Sequence, residues 1–150
     1  AWRESGPITF YPVIKSYRDG NEERNIGASS CFPESGDYVH REKFIQEEIT
    51  VDAVRLDELC CELAVPAIDL ICMDVQGAAL QVLQGLGEKL KDTSYIITEL
   101  EVSPVYEGQS LFPEVAEYLR GHGFQEMAQD MQFPEYGDFL FVNEKAVNAV

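Results

Sequence analysis

Three carboxylates stand out for their position rather than their number. Asp74 closes the apolar run Ile68-Asp-Leu-Ile-Cys-Met73 and precedes Val75-Gln76-Gly77, a turn into the next helical segment. Glu99 and Glu101 close a second apolar run, Tyr95-Ile-Ile-Thr-Glu-Leu100. In an open α/β sheet, ligands lie beyond the carboxyl ends of the strands. Acids there can take a proton, bind a hydroxyl or amine, or hold a cation. The plainer alternatives are a helix N-terminal charge for Asp74 and solvated strand ends for the two glutamates.

Other groups carry weaker signals. The segment Asn25-Ile-Gly-Ala-Ser-Ser30 has a glycine and two hydroxyls, and such a loop can offer backbone N–H groups and hydroxyls to a ligand. Ser29 or Ser30 as a nucleophile would need a base such as His40, and nothing in the spacing supplies that pairing. Tyr106, on the loop past the second run, reads equally as packing or as a substrate wall. His122, between two glycines at a helix end, fits a partner for the helix dipole. The cysteines, Cys31, Cys60, Cys61 and Cys72, form no Cys-x-x-Cys pair, so a zinc site is not expected. Cys72, inside an apolar run, reads as a small buried hydrophobe.

The elements that must position these groups follow from periodicity. Ile8–Ile14 reads as a strand that Pro12 confines to an edge, a bulge or an early end. Lys15–Glu48 is polar and glycine-dotted and reads as a long loop. Residues 49–54 alternate like a half-exposed strand, and Leu56, Leu59, Cys60 and Leu63 mark a short amphipathic helix. The run Ile68–Met73 suits a strand covered on both faces. Leu80, Leu83, Leu86 and Leu90 then predict a helix of about three turns. After the strand Tyr95–Leu100, Ser110 can cap a helix bearing Phe112, Val115, Ala116 and Leu119 inward, ended by Gly121 and Gly123. Phe124–Ala128 and Asp138–Asn143 read as an antiparallel pair. The whole is one α/β domain with a mostly parallel sheet and right-handed crossovers.

At 150 residues the chain suits one domain, and its 27 acidic against 11 basic residues give a formal charge of −16. So negative a surface repels phosphate backbones and anionic lipid, so neither nucleic acid nor membrane is the expected partner. No run reaches the roughly 20 apolar residues of a membrane span, and a cytoplasmic protein with a small-molecule substrate is the default expectation.

Several segments, in order, resemble the FkbM family of methyltransferases. Gly27-Ala-Ser-Ser30 is similar to a hydroxyl-rich turn of that family, and Val54-Arg-Leu-Asp-Glu-Leu59 to its "tLDdl" segment. Ile68–Gly87 resembles the signature "iDllKiDvEGaElevLkGa", with Asp74-Val-Gln-Gly77 as its most specific part. Ile96-Ile-Thr-Glu-Leu100, Tyr106-Glu-Gly108, Gly123-Phe124 and Gly137-Asp-Phe-Leu-Phe-Val-Asn143 match later landmarks. The resemblance implies a partial Rossmann-like, class I methyltransferase-type sheet and methyl transfer from S-adenosylmethionine to an oxygen, on a sugar or another small molecule. It implies catalytic roles for Asp74 and Glu99; substrate contacts from Ser29, Ser30, Glu101 and Tyr106 are the companion expectation.

The chain departs from the pattern at Cys72, where the family has lysine, and at Ala79, where it has an acid. It also begins after the family's strand–glycine loop–helix unit, so no cofactor-binding residue is assigned. Without that unit the Ile68–Met73 strand becomes an apolar edge, to be covered by the strands near Ile8 and Ile49, a second copy or another segment. Cys72 and Ala79 favour a rival reading, a non-catalytic remnant serving as a binding or assembly module. Retention of Asp74, Gly77 and Glu99 favours the enzyme. A metal-dependent hydrolase, with a cation at Asp74, is the weaker third reading.

Overall fold

The structure, a computed structural model, describes residues 1–36 and 42–147. The C-terminal part supplies the scaffold. Strands β6 (Ile68–Met73), β7 (Thr93–Glu101), β8 (Phe124–Asp130) and β9 (Tyr136–Asn143) form one sheet in the order β6-β7-β9-β8. Only β6 and β7 run parallel; β9 is antiparallel to both β7 and β8. The mostly parallel sheet expected from the strand–helix rhythm is therefore corrected to one parallel pair joined to an antiparallel hairpin. The physical reason is connection length: the turn between β8 and β9 is too short for a crossover. The antiparallel pairing of the last two strands is as expected.

One face of this sheet is the core. On β7, Ile96, Thr98 and Leu100 are fully enclosed, while Tyr95 on the other face is 40% exposed. Helix α2 (Ala79–Gln84) and helix α3 (Phe112–Gly121) cover the inner face with Leu83, Val115 and Leu119, all at 0% exposure. Phe112 stacks on Phe139 at 4.4 Å between ring centres. The leucine stripe does not make one three-turn helix. It makes α2 and then a 3-10 segment, Gly87–Asp92, with Gly87 in the left-handed region at φ 51°. Leu86 and Leu90 still reach the core, so the burial was legible although the helix was not.

The β6 strand lies at the sheet edge. Its residues alternate between half-buried and exposed, with Leu70 at 50%, so it is not covered on both faces. Cys72 shares the outward side and is exposed, which overturns its reading as a buried hydrophobe. Helix α1 (Leu56–Glu62) forms, yet buries no residue fully, and Leu63 lies just past its end at 64% exposure. Leu111, not Ser110, is the N-cap of α3: its N–H donates to Glu114 Oε2 at 2.9 Å, and Ser110 is buried before it.

The N-terminal part is built differently. Pro12 splits the first predicted strand into β1 (Gly6–Phe10) and β2 (Val13–Arg18). The β1 strand pairs antiparallel with β5 (Ile49–Ala53). The predicted long loop contains β3 (Asn21–Glu23) and β4 (Glu42–Gln46), which flank β2 in a second antiparallel sheet. The chain ends in a short helical turn, α4 (Glu144–Val147). Among the described residues no helix is long and apolar enough to cross a membrane.

Candidate active site

The parallel pairing of β6 and β7 sets Met73 opposite Thr98, so the next residues, Asp74 and Glu99, emerge together at the carboxyl end of the sheet. Antiparallel β9 brings Asp138 opposite Glu99 and Tyr136 opposite Glu101. Past Asp74 the chain reverses through two left-handed residues, Gln76 at φ 46° and Gly77 at φ 83°. Glycine is required at the second: a Cβ there would sit 3.0 Å from Gln109 Cβ and 3.2 Å from Tyr106 Cδ2. Gln76, a branched-free but real side chain in that region, is held against its backbone preference.

What holds it is a set of hydrogen bonds. The Gln76 Nε2 amide donates to Asp74 Oδ1 at 2.5 Å and to Glu99 Oε1 at 3.2 Å, while Gln76 Oε1 accepts from the Tyr106 hydroxyl at 2.9 Å. The same hydroxyl lies 3.0 Å from the Ala28 carbonyl. The backbone carbonyl of Gln76 accepts from Ser30 Oγ at 2.6 Å. Tyr106 is in turn fixed by Gln109, whose Oε1 accepts from the Val105 N–H at 2.7 Å and the Tyr106 N–H at 2.5 Å.

Asp74, Gln76, Glu99 and Tyr106 line a cavity of about 230 Å³ together with Glu101, Tyr136 and Phe44. The opposite wall comes from the N-terminal sheet: Arg18 pairs with Glu42 at 3.2 Å, and Asn25 Nδ2 donates to the same carboxylate at 3.0 Å. Arg18 also lies 3.8 Å from Glu23. Ligand pockets usually exceed roughly 300 Å³, so this volume suits the reacting end of a ligand better than the whole of one.

The electrostatics are those of crowded acids. Burial, the Asp74 charge and then Asp138 push the Glu99 carboxyl up to about 7, against the Gln76 hydrogen bond, which favours its charged form. Burial, above all, with the Glu99 and Asp74 charges, pushes Glu101 up to about 7 as well. Its own backbone and Gln109 pull the other way. A carboxyl poised near neutrality in a cleft is suited to proton transfer.

Of the expected site residues, Asp74, Glu99, Glu101 and Tyr106 come together in this cavity. The two serines take other places. Ser30 props the Gln76 carbonyl and accepts from the Phe32 N–H at 3.1 Å. Ser29 accepts from the Val13 N–H at 3.0 Å and lines a second, more apolar cavity of about 270 Å³ on the other flank of the Asp74–Gln76 turn, beside Phe10 and Val82. His40 lies outside the described residues. His122 is at the end of α3, with Nδ1 2.8 Å from the Tyr118 carbonyl, as a helix-end partner should be. Among the described residues no group of three or more His, Cys, Asp or Glu side chains is arranged to hold a metal ion. Gln76 escaped notice in the sequence, because a neutral amide carries no titration signal. The motif held the clue: the family signature has an acid where this chain has Gln76.

The comparisons with known proteins point to one family. A family model, the methyltransferase FkbM domain, matches residues 3–126. The 2-O-methyltransferase NoeI of Sinorhizobium fredii is 34% identical over 142 residues, which are 94% of this chain and 56% of that protein. The 31-O-demethyl-FK506 methyltransferase FkbM of Streptomyces tacrolimicus is 32% identical over 83 residues, 55% of this chain and 30% of that protein. The chain thus spans little more than half the length of the first relative and less of the second. No solved structure matches it. With the motif, the parallel strand pair and the matched length in agreement, this chain belongs to the FkbM methyltransferase domain family.

Proposed function

We propose that the chain is the acceptor-activating part of an S-adenosylmethionine-dependent O-methyltransferase whose substrate is a hydroxyl of a sugar or another small molecule. The observation that carries this reading is the Asp74–Gln76–Glu99 constellation at the carboxyl end of the parallel strand pair. Both relatives are O-methyltransferases by name, which gives the reaction class its support.

The methyl donor fits the donor set. S-adenosylmethionine would supply an electrophilic methyl group on a positively charged sulfur. The cavity offers Asp74, Glu99 and Glu101, and its arginine is already paired with Glu42 and Glu23, so its charge favours a cation. Asp74, exposed at the mouth, is the acid that would face that charge. Glu99 would accept the proton of the acceptor hydroxyl as its oxygen becomes the nucleophile. Its position near neutrality lets it be ionised at working pH yet basic enough to bind a proton. Glu101, deeper and 4% exposed, would tune that affinity by its charge. Tyr106, Gln76 and Gly77 hold the acids in register, and the surrounding aromatic groups keep bulk water from the reacting atoms.

The test uses the complete protein. Calorimetric titration with S-adenosylmethionine and S-adenosylhomocysteine should give micromolar binding, and labelled methyl should pass to a neutral sugar hydroxyl. Glu99→Gln should cut kcat by about 100-fold or more, the usual worth of a general base. Because the base must be ionised, the rate should rise with pH through about 7 and level above it. Absence of binding up to millimolar cofactor, or an unchanged kcat in Glu99→Gln, sinks the reading.

A further inference from the structure

Gln76 is the one member of the cavity wall that touches both acids, and it is neutral. Its two N–H groups are spent on Asp74 and Glu99, and its carbonyl on the Tyr106 hydroxyl. The opposite amide orientation would aim a carbonyl at two carboxylates, so the bonding pattern fixes which way the amide points. We propose that Gln76 is a positioning residue that holds the Asp74 and Glu99 side chains side by side and restrains the proton affinity of Glu99 by acting as a neutral double donor between them. This rests on the methyltransferase reading only for its use in catalysis; the charge arrangement itself stands on geometry.

The reasoning is one of charge count. Two carboxylates bonded to the same amide nitrogen repel each other, and in a partly buried cleft that repulsion favours uptake of a proton. An N–H donated to each ionised oxygen opposes it without adding charge. An acid at this position, as in the family signature, would put a third carboxylate within hydrogen-bond reach of the other two. That arrangement is tenable only with a bound proton or a cation between them. Gln76 in this chain spares the cluster that third charge.

Among the described residues, other charged and titratable groups also act around Glu99. Asp138 on β9 and Glu101 on β7 add negative charge, and Tyr136 on β9, itself raised by burial and by Glu99, stays neutral. Glu42 and Glu135 add to the negative field around Tyr136, and Arg18 opposes it. Of all the side chains named here, Gln76 is the one whose hydrogen bond draws Glu99 toward its charged form.

The experiment is a carboxyl carbon-13 NMR titration of the ligand-free protein from pH 4 to 9. In the natural chain Glu99 should titrate near 7. Gln76→Glu should raise that midpoint by about one pH unit or more, a tenfold gain in proton affinity, and Gln76→Leu should raise it by removing both donors. The double variant Gln76→Glu with Asp74→Asn restores the count of one amide and two acids in the cluster and should bring the midpoint back toward the natural value. A purely structural role predicts no such return. Core methyl shifts report whether each variant is folded; should Gln76→Glu fail to fold, the isosteric-sized Gln76→Leu decides alone. An unmoved Glu99 midpoint in a folded single variant overturns the proposal. The titration needs no cofactor, so a protein that titrates as expected but neither binds S-adenosylmethionine nor transfers methyl removes the proposed function and leaves this inference standing.

Discussion

The inner face and the carboxyl end of the same strand, β7, obey opposite rules. Ile96 and Leu100 have no exposed surface and belong to the apolar cluster shared with α2 and α3. Glu99 and Glu101, interleaved with and following them, crowd negative charge into a cleft against the preference of burial. The first arrangement is what folding selects, because each buried methylene contributes roughly 0.8 kcal/mol. The second costs stability and is therefore the place to look for function.

Variants can sharpen or break this contrast. The largest effect belongs to the core: Leu83→Ala removes a fully enclosed side chain and should destabilise the fold by about 3 kcal/mol, read by urea unfolding. If it costs under about 1 kcal/mol, the sheet–helix interface is not the principal core.

The acids should behave in reverse. Glu101 has a folded-state value of about 7 against an ordinary 4.5, so the folded chain binds more protons than the unfolded one between those limits. Its contribution is therefore neutral below about 4.5, grows unfavourable as pH rises through the window, and is fully unfavourable above about 7. Glu101→Gln should raise stability at pH 8 by on the order of 1–3 kcal/mol and leave it nearly unchanged at pH 4. Equal effects at both pH values would show that Glu101 acts by packing and not by charge. The smallest effect is expected for Tyr106→Phe, which leaves the Gln76 and Ala28 oxygens without their phenol donor and should cost about 1 kcal/mol of stability. The same change should loosen the Gln76 amide, visible as faster exchange of its side-chain N–H protons.

The two ends of the chain were also unequally legible. From Ile68 onward the apolar runs and leucine spacing marked every strand and the core face, because packing against helices forces periodicity on the residues. The antiparallel return of β9 was legible as well, from the short spacing of the last two strands; what did not show was that β6 and β7 are the one parallel pair among the described strands. Residues 13–46 hid their strands because the sheet they form buries only a small apolar cluster, Val13 and Phe44 with Ala28, beside buried polar groups. There Ser16 is buried to accept the Asn25 N–H, and Glu42 is buried to meet Arg18 and Asn25. Burial satisfied by specific partners leaves no hydrophobic pattern to read. The acids of the site were legible from strand-end position. Their mutual spacing was not, since it depends on β6 and β7 lying side by side in parallel register, which a linear sequence does not display.

The N-terminal segment offers a practical handle. Trp2 is the sole tryptophan of the chain. Its N–H donates to the Val54 carbonyl at 3.0 Å, its ring lies 5.9 Å from that of Phe32, and its own carbonyl occupies the space that a Cβ on Gly85 would need. Any side chain at position 85 would lift the segment off the end of α2. The indole is thereby a built-in optical gauge: its emission wavelength and quenching by iodide report, in one cuvette, whether the first residues are seated on the helix that follows the Asp74–Gly77 turn or have come away from it.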